Sequence, residues 1–285
     1  MPDSQPGGEE VSVSTAASSG NLGPGFDYIG LALDLRTTAR VSLSDAWHVS
    51  SPDPSGIILK AARAVSDQPV SIHLTSEIPM GKGLGSSAAC ITATLGAVLL
   101  ATSQPLDLDR IVRDGYELED HYDNVAAAVY GGLVVCSPQG YVKCFDMHER
   151  IRILIALPDE TLPTDLARLA LPGDVPLGAA ARTASRTVFL IEGLRTGNLD
   201  LLKEVGQDEL HEPHRIRMRP VIGKVITAAR SAGAAAAVMS GAGPAVLAFT
   251  TGDLEEDIGA AMLEALDEAG EVRRIETGSG IEQLV

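Results

Sequence analysis

Three glycines within five residues, Gly81, Gly83 and Gly85, stand directly before two serines and a long apolar run. The run from Ala88 to Leu100 is long enough for a helix of about three or four turns. This order predicts a flexible loop that leads into a helix. Because the first amides of a helix lack partners and lie at the positive end of its dipole, such a loop can cradle a polyphosphate. The alternative is a tight turn in which Ser86 is only the helix N-cap.

The order of residues in this loop excludes two common phosphate-binding motifs. A Walker loop ends in Gly-Lys-Ser or Gly-Lys-Thr, but here Lys82 is followed by Gly83 and Lys224 by Val225. A dinucleotide fingerprint needs its third glycine three residues after the second and an acid about twenty residues later, which this loop does not supply. Any phosphate that binds here is therefore held in another way.

Two further glycine-rich segments lie before and after this loop. The first covers Ser14–Asp27 and follows an alternating strand pattern that begins at Val11. The second is Met239–Pro244, between small apolar strand patterns at residues 234–239 and 245–250. This arrangement predicts either a hairpin loop that comes close to a ligand or an ordinary turn.

The remaining patterns mix strands and helices without strict alternation. Strands are predicted over residues 29–43, 70–74, 133–136, 141–145, 151–157, 272–275 and 281–285, and a loop over 47–54. The early part of residues 29–43 could instead be helical. Helices are predicted over residues 57–65, 107–119, 125–130, 164–171, 177–196, 199–210, 219–232 and 254–269. The pattern changes near residue 150, where a second domain is predicted to begin. Such a mixture favours an α+β fold.

The charge balance limits the possible partners. Thirty-eight Asp and Glu against 22 Lys and Arg give a formal net charge of -16, which repels both nucleic acid and anionic membranes. An anionic substrate would therefore need local basic groups. The three cysteines, Cys90, Cys136 and Cys144, show no Cys-x-x-Cys spacing, so neither a disulfide framework nor a structural zinc site is predicted.

The beginning of the chain is unlike a secretory signal. Residues 1–10 are polar and acidic, where a signal peptide would be basic and then apolar, and they are predicted to form a disordered tail. The longest apolar segments are too short, or too interrupted by glycine, to span a bilayer. These features predict a cytoplasmic protein without a membrane partner.

Taken together, the three glycine-rich segments resemble the three motifs of the GHMP kinase superfamily, named for galactokinase, homoserine, mevalonate and phosphomevalonate kinases. Ser18–Asp27, Ser-Ser-Gly-Asn-Leu-Gly-Pro-Gly-Phe-Asp, resembles the first motif of the homoserine kinases in particular. Ile78–Ala89 resembles the ATP loop of the superfamily, and Ser240–Ala248 resembles its third motif. Glu119–Gly132 is similar to a homoserine-kinase segment with Glu, His, Asp-Asn-Val and Gly-Gly. The resemblance covers about residues 11–285.

The resemblance implies a two-domain α+β fold with the active site between the domains. Residues 11–150 would form an N-terminal ATP-binding GHMP kinase domain, ribosomal-protein-S5-like, with a left-handed β-α-β unit. Residues 151–285 would form a C-terminal GHMP kinase domain of ferredoxin-like α+β character. Left-handed crossovers are rare, so the sequence pattern alone would not predict one.

The resemblance also implies an ATP site with Mg²⁺. The residues expected around the phosphates are Pro79, Gly81, Lys82, Gly83, Leu84, Gly85, Ser86, Ser87, Ala88 and Ala89. Ser87 would offer a hydroxyl to Mg²⁺ and Glu119 a carboxylate, in agreement with the preference of this ion for hard oxygen ligands. The alternatives are that Glu119 is a solvated acid at a helix end, or that Glu117 is the metal ligand.

The acceptor implied by the resemblance is L-homoserine. Asn21, Asp27, His121 and Asn124 match positions that line the amino-acid pocket of homoserine kinases, and Arg168 and Arg215 match the pair that grips its carboxylate. An α-amino acid needs an anion for its ammonium group and a planar fork for its carboxylate, and Asp27 with two arginines offers both. Either arginine could instead be an ordinary surface charge.

A metal pair at His211 and His214 is a further reading of the sequence. Pro213 lies between these histidines and argues against a continuous helix, and the spacing of a metalloprotease is absent. The sequence therefore disfavours this metal site.

The implied reaction transfers the γ-phosphoryl group of ATP to the side-chain hydroxyl of L-homoserine, a step of threonine biosynthesis. Asn124 would position the hydroxyl, and no carboxylate base would be needed, because a loose transition state requires mainly alignment and charge neutralisation. Asp120 and Tyr122 stand where Gly and Pro are common in the family, and Ala127 where Pro is usual. Alternatives are a kinase of another small hydroxy acid and a non-catalytic nucleotide-binding homologue. A homodimer is compatible with the resemblance.

Overall fold

Two β-sheets carry the fold of this protein, whose computed structural model describes residues 9–53 and 55–284. Most of the tail predicted at residues 1–10 lies outside the described residues. Within the described ranges, every helix is too short or too polar to cross a membrane.

The first sheet has seven strands. They are β1 (Val11–Ser19), β2 (Ile29–Leu43), β3 (His48–Val49), β4 (Val70–Ser76), β5 (Leu133–Cys136), β6 (Val142–Phe145) and β11 (Glu282–Leu284). The order is β11-β1-β2-β4-β3, with β5 paired to both β2 and β6. All of these pairs are antiparallel except β3 with β4. Because helix α1 (Ile57–Val65) connects this parallel pair, a β-α-β unit is present. The left-handed crossover stays a prediction.

The predicted loop over residues 47–54 is partly wrong, because it contains β3. His48 and Val49 pair with Ser71 and Ile72 of β4, and a two-residue strand is too short to show an alternating pattern. Strand β1 is also longer than its pattern suggested. It continues through small residues as far as Ser19 and places them, buried, at the entrance to the first glycine-rich segment.

Two helices, α2 (Ser86–Ala101) and α4 (Tyr122–Tyr130), pack against the first sheet. Helix α3 (Leu108–Glu119) packs on these two helices. Helix α2 is apolar on all sides and forms the centre of a core with β1, β2 and β4, as expected for a fully buried helix. Helix α3 is amphipathic and begins after Asp107, whose side chain accepts a hydrogen bond from the Arg110 amide.

The second sheet has four antiparallel strands. They are β7 (Arg152–Pro158), β8 (Ala236–Met239), β9 (Val246–Thr250) and β10 (Gly270–Ile275), in the order β10-β7-β9-β8. The helices of this half are α5 (Thr164–Leu169), α6 (Leu177–Thr196), α7 (Leu199–Lys203), α8 (Glu212–Met218), α9 (Pro220–Ser231) and α10 (Glu255–Ala265). Helices separate the first strand from the second and the third from the fourth, which confirms the ferredoxin-like topology.

The helix predicted over residues 199–210 is wrong beyond Lys203. The carboxylate of Asp208 accepts hydrogen bonds from the amides of Leu210, His211 and Glu212, so the chain here starts a new helix instead of extending α7. That new helix, α8, contains Pro213 in its first turn, where proline is tolerated because its missing amide would have no helical partner.

The two sheets share one hydrophobic core. Along β7, Ile153, Ile155 and Leu157 pack with β2 residues such as Leu31 and Leu33. The alternate residues of β7 pack toward α9 and α10 in a separate core. Strand β7 is therefore buried on both faces, which holds the two sheets in a fixed relation.

The last strand returns to the beginning of the chain, because β11 pairs with β1. Strands β1–β6 of the first sheet therefore precede residue 150, and strands β7–β10 of the second sheet follow it. Strand β11 is the exception, because it follows residue 150 but belongs to the first sheet. The domain boundaries themselves stay a prediction.

Candidate active site

The three glycine-rich segments meet where β1, β4 and β8 end. We call residues 20–25, 81–85 and 240–244 the first, second and third glycine segments. Three backbone hydrogen bonds join them and their neighbours, donated by Ser18 N to Leu84 O (3.1 Å), by Gly241 N to Gly20 O (2.9 Å) and by Ala245 N to Lys82 O (3.2 Å). Their relative position is thus held by main-chain atoms.

Gly83 lies at the tightest of these contacts. Its φ is +77°, and a Cβ atom built on it would lie 2.2 Å from the carbonyl oxygen of Ser240. The Ser240 hydroxyl also donates a hydrogen bond of 2.8 Å to the Gly83 carbonyl. Only glycine allows this approach, because any side chain would occupy the space of the third segment.

The start of α2 is open to a ligand. Its N-cap is Gly85, with φ +62°, and no side chain of the described residues caps the first amides. The alternative in which Ser86 acts as the N-cap is therefore wrong, since Ser86 is already the first helical residue. Uncapped amides at the positive end of a buried helix favour an anion.

A cleft opens in front of these amides. The predicted site residues that line it are Asn21, Pro79, Gly81, Gly83, Leu84, Gly85, Ser86, Ser87, Glu119, His121, Asn124, Arg168 and Arg215. Asp27 lines the adjoining pocket together with His121 and Arg168. Ala88 and Ala89 are fully buried behind the loop. The structure thus brings nearly all of the predicted residues around one opening.

The side chain of Lys82, by contrast, does not line the cleft. Its Nζ atom donates hydrogen bonds to the carbonyl oxygens of Pro158 (2.5 Å), Asp159 (2.7 Å) and Glu160 (2.8 Å). The ammonium group therefore caps the end of β7 and does not extend over the loop.

Glu119 and Ser87 form a polar pair beside the open amides. The Ser87 hydroxyl donates to Glu119 Oε2 at 2.6 Å, and Glu119 is the last residue of α3. Burial raises the pKa of the Glu119 carboxyl above its usual value, although the hydrogen bond from Ser87 opposes this effect. Glu117, the alternative ligand, is exposed on the same helix.

These two residues fit a divalent cation. A partly buried carboxylate with a raised pKa gains stability when a cation lies beside it, and a hydroxyl and a carboxylate are both hard oxygen ligands. Among the described residues, no three acidic, histidine or cysteine side chains converge on one point. An ion held here would consequently take its other ligands from phosphate and water.

The other end of the cleft holds a network of charges. Both terminal nitrogens of Arg168 lie 3.1–3.4 Å from both carboxylate oxygens of Asp27. His121 Nδ1 is 3.7 Å from the same carboxylate, and the Asn21 side chain accepts a hydrogen bond from the Asp27 amide. The Asp27–Arg168 pair is about 40% exposed, so partners from solution can exchange with it.

Arg215 is held directly by the third glycine segment and, through His211, by the first. It is buried, and its NH1 nitrogen donates to the carbonyl oxygen of Gly241 and to His211 Nδ1, both at 3.0 Å. Because arginine can only donate, His211 Nδ1 must accept, and the proton of this imidazole lies on Nε2, which donates to Gly23 O at 2.8 Å. Burial lowers the pKa of His211 to about 4 and that of Arg215 to about 10. His211 is therefore neutral and Arg215 charged at pH 7.

The structure does not support a metal pair at His211 and His214. Both nitrogens of the His211 ring are hydrogen-bonded to protein, and His214 is partly exposed with its Nδ1 atom 2.8 Å from Arg217. The sequence disfavoured this pair because Pro213 argues against a continuous helix through both histidines. Helix α8 does form at Pro213, but it begins at Glu212, and His211 is its N-cap.

Asp123 is a residue that the sequence did not single out. It is fully buried, and its two carboxylate oxygens accept hydrogen bonds from the amides of Asn21 and Asn124, each at 2.8 Å. The Asn124 side chain also accepts from the Ser18 hydroxyl at 3.0 Å. Burial raises the pKa of Asp123. An acid in the first turn of a helix is normally a solvated favourable charge, so the sequence carried no signal of this positioning role.

Two family models match the chain. The model of the GHMP kinase N-terminal domain matches residues 56–132, and that of the GHMP kinase C-terminal domain matches residues 190–270. The matches lie on both sides of the cleft.

Relatives of full length are also similar. A homoserine kinase of Moorella thermoacetica is 35% identical over 276 residues, which cover 90% of this chain and 93% of the relative. A homoserine kinase of Aquifex aeolicus is 33% identical over 273 residues, covering 90% and 92%. The crystal structure of a homoserine kinase from Cytophaga hutchinsonii has a TM-score of 0.87 and 25% identity, and covers both chains completely.

We predict that Gly83→Ala separates the second and third segments. The new methyl group would lie 2.2 Å from a carbonyl oxygen at a positive φ, and we expect the free energy of unfolding to fall by about 1–3 kcal/mol or more. Urea denaturation measures this change. The matched control is Gly259→Ala in α10, where a Cβ meets nothing within 4 Å, and a gain of roughly 0.5–1 kcal/mol is expected. Wild-type stability of Gly83→Ala would contradict the contact.

Proposed function

This chain belongs to the GHMP kinase family, and on that premise we propose that it transfers the γ-phosphoryl group of ATP to the side-chain hydroxyl of L-homoserine. The products are O-phospho-L-homoserine and ADP. The homoserine kinases that it resembles support this substrate, since two of them are 33–35% identical over 90% of the chain.

One observation carries the proposal: a single cleft joins an anion-binding helix start to a pocket with the charges of an amino-acid site. At one end are the uncapped amides of α2, and at the other are Arg168 and Arg215, with Asp27 adjoining. A phosphoryl donor and a zwitterionic acceptor could therefore lie next to each other.

For the donor, we assign the phosphates to the loop of residues 81–87. Backbone amides at the start of α2 would face the phosphate oxygens, and Ser87 and Glu119 would hold Mg²⁺. When bound, this ion neutralises the charge that develops on the phosphate oxygens. Lys82 is left out of the phosphate site, since three carbonyl oxygens already occupy its ammonium group.

For the acceptor, we assign the carboxylate to Arg168 and Arg215 and the ammonium group to Asp27. Arg215 stays charged although it is buried, and its fixed guanidinium offers a planar fork to a carboxylate. Asn21 and His121 complete the walls. Binding of the zwitterion would exchange the Asp27–Arg168 pair for two new ion pairs.

Asn124 is the residue that would position the reacting hydroxyl. Its side chain is oriented by Ser18 and its amide by Asp123, so it is held before a substrate arrives. Both oxygens of Asp123 already accept amide hydrogen bonds, which leaves this carboxylate poorly placed as a base. The proton of the hydroxyl would pass to phosphate or solvent, as a loose transition state allows.

A kinase of another small hydroxy acid is the second candidate. Tyr122, which departs from the family pattern, stacks on Tyr116 with ring centroids 3.7 Å apart, and both line the pocket that contains Asp27. This aromatic wall could select an acceptor of a different size. A cytoplasmic location and a homodimer stay predictions.

The first test is turnover. We expect the purified protein with Mg-ATP to release ADP with L-homoserine faster than with L-serine, L-threonine or mevalonate. Coupled measurement of ADP gives the rates, and phosphorus magnetic resonance identifies the phosphorylated product. Turnover of another small alcohol, with none of L-homoserine, would exclude the first candidate. Nucleotide binding without any turnover would favour a non-catalytic homologue.

Arg168→Ala tests the acceptor site. Removing one partner of a charge-assisted hydrogen bond costs on the order of 2 kcal/mol, so we expect the KM for L-homoserine to rise roughly thirtyfold. The KM for ATP should change little. Steady-state kinetics measures both constants. The control is Arg182→Ala on α6, where the guanidinium pairs with Glu209 outside the cleft. An unchanged KM for L-homoserine in Arg168→Ala would remove this residue from the pocket.

Glu119→Gln tests the metal site. The amide keeps the shape of the side chain but loses its negative charge, so we expect the Mg²⁺ concentration for half-maximal turnover to rise about tenfold or more. Paramagnetic titration of Mn²⁺ in the presence of ADP gives a second measure that does not depend on turnover. Glu117→Gln, two residues earlier on the same helix, should behave as the wild type. If Glu117→Gln shows the defect and Glu119→Gln does not, the metal ligand is Glu117.

A further inference from the structure

Lys82, which was expected beside the phosphates, instead joins the two sides of the cleft. We propose that Lys82 is a positioning residue that couples ATP binding to acceptor binding. The coupling would run through residues 159–169, which we call the acceptor arm. The proposal rests on the function proposed above, because it assumes that both ligands bind in this cleft.

Lys82 is the strongest link between the second glycine segment and the arm. A lysine ammonium has three donors, and all three are accepted by consecutive carbonyl oxygens of Pro158, Asp159 and Glu160 at 2.5–2.8 Å. Hydrogen bonds from a charged donor are roughly twice as strong as neutral ones. Any shift of the loop at Lys82 therefore reaches the beginning of the arm.

The arm also packs on the glycine segments through main-chain and apolar contacts. The Leu162 amide donates to the Gly81 carbonyl at 3.2 Å. Leu162 and Ala167 form a small buried cluster with Ala242 of the third segment. On its outer side, Arg219 contacts Glu160 at 3.1 Å. The beginning of the arm is thus fixed to the donor side of the cleft.

The far end of the arm carries the acceptor arginine. Helix α5 buries only Ala167 among its six residues, while Leu166 and Leu169 are 50% and 81% exposed. With so little burial, the position of α5 depends on the contacts at the beginning of the arm. Arg168 lies on this helix and pairs with Asp27 of the acceptor pocket. A loop that is ordered by phosphate would consequently hold Arg168 in place for the carboxylate.

Such coupling is reciprocal, because each ligand must favour the other by the same factor. The quantity to measure is the ratio of the Kd for L-homoserine without and with a non-hydrolysable ATP analogue and Mg²⁺. Isothermal titration calorimetry gives both constants. We expect a ratio of about five or more in the wild type.

In Lys82→Met we expect this ratio to fall close to one, while the Kd for L-homoserine alone changes less than about twofold. Lys82→Arg keeps the charge and several donors and should retain much of the ratio. The matched control is Lys203→Met, which removes an exposed ammonium group on α7 that pairs with Asp200, and it should keep the wild-type ratio. A loss of packing alone would weaken both ligands without changing the ratio.

A wild-type ratio of one, or the same ratio in Lys82→Met as in the wild type, overturns the proposal. Thermal melting shows whether Lys82→Met is folded at the assay temperature, and if it is not, Lys82→Gln and Lys82→Arg decide the question by the same comparison. Failure of the proposed function is a separate outcome, in which the wild type itself neither binds nor phosphorylates L-homoserine. A wild type that turns over L-homoserine, with an unchanged ratio in the Lys82 variants, removes only the coupling.

Discussion

The contact of three glycine segments through their main chains is the constraint on which the cleft depends. Gly83 lies against the carbonyl of Ser240, and Gly241 donates to Gly20. Each segment follows a strand, so these contacts also fix how the two sheets meet. The side chains that line the cleft lie around these three segments. One of them, Arg215, donates a hydrogen bond to the Gly241 carbonyl of the third segment.

Much of this arrangement could be predicted from the sequence. The residues of the three glycine segments predicted one common site. The cleft is lined, as predicted, by Ser87, Glu119, Asn124, Arg168 and Arg215. The direction of Lys82 could not be predicted, because its carbonyl partners lie 76 to 78 residues away along the chain. Contacts of that kind depend on the fold and leave no local pattern.

The burial of Asp123 and the start of α8 were missed for a related reason. Asp123 resembles any acid in the first turn of a helix, and only the fold shows that the first glycine segment covers it. In the same way, Pro213 weakened the prediction of helix α8, although it lies in the first turn of that helix. Local patterns identify elements, whereas tertiary contacts decide which polar groups are buried and what they bind.

Strand β11 makes the first sheet dependent on the order of synthesis. It pairs with β1, and Arg36 of β2 donates to the carbonyl oxygens of Ser279 and Gly280 nearby. More than 260 residues separate β1 from β11, so at about 5–20 residues per second β1 leaves the ribosome on the order of ten seconds or more before its neighbour. During that interval residues 12–14 of β1 lack their partner strand, and an unpaired edge can join another chain. The edge of β1 at residues 12–14 is therefore closed only by the last part of the chain to be synthesised.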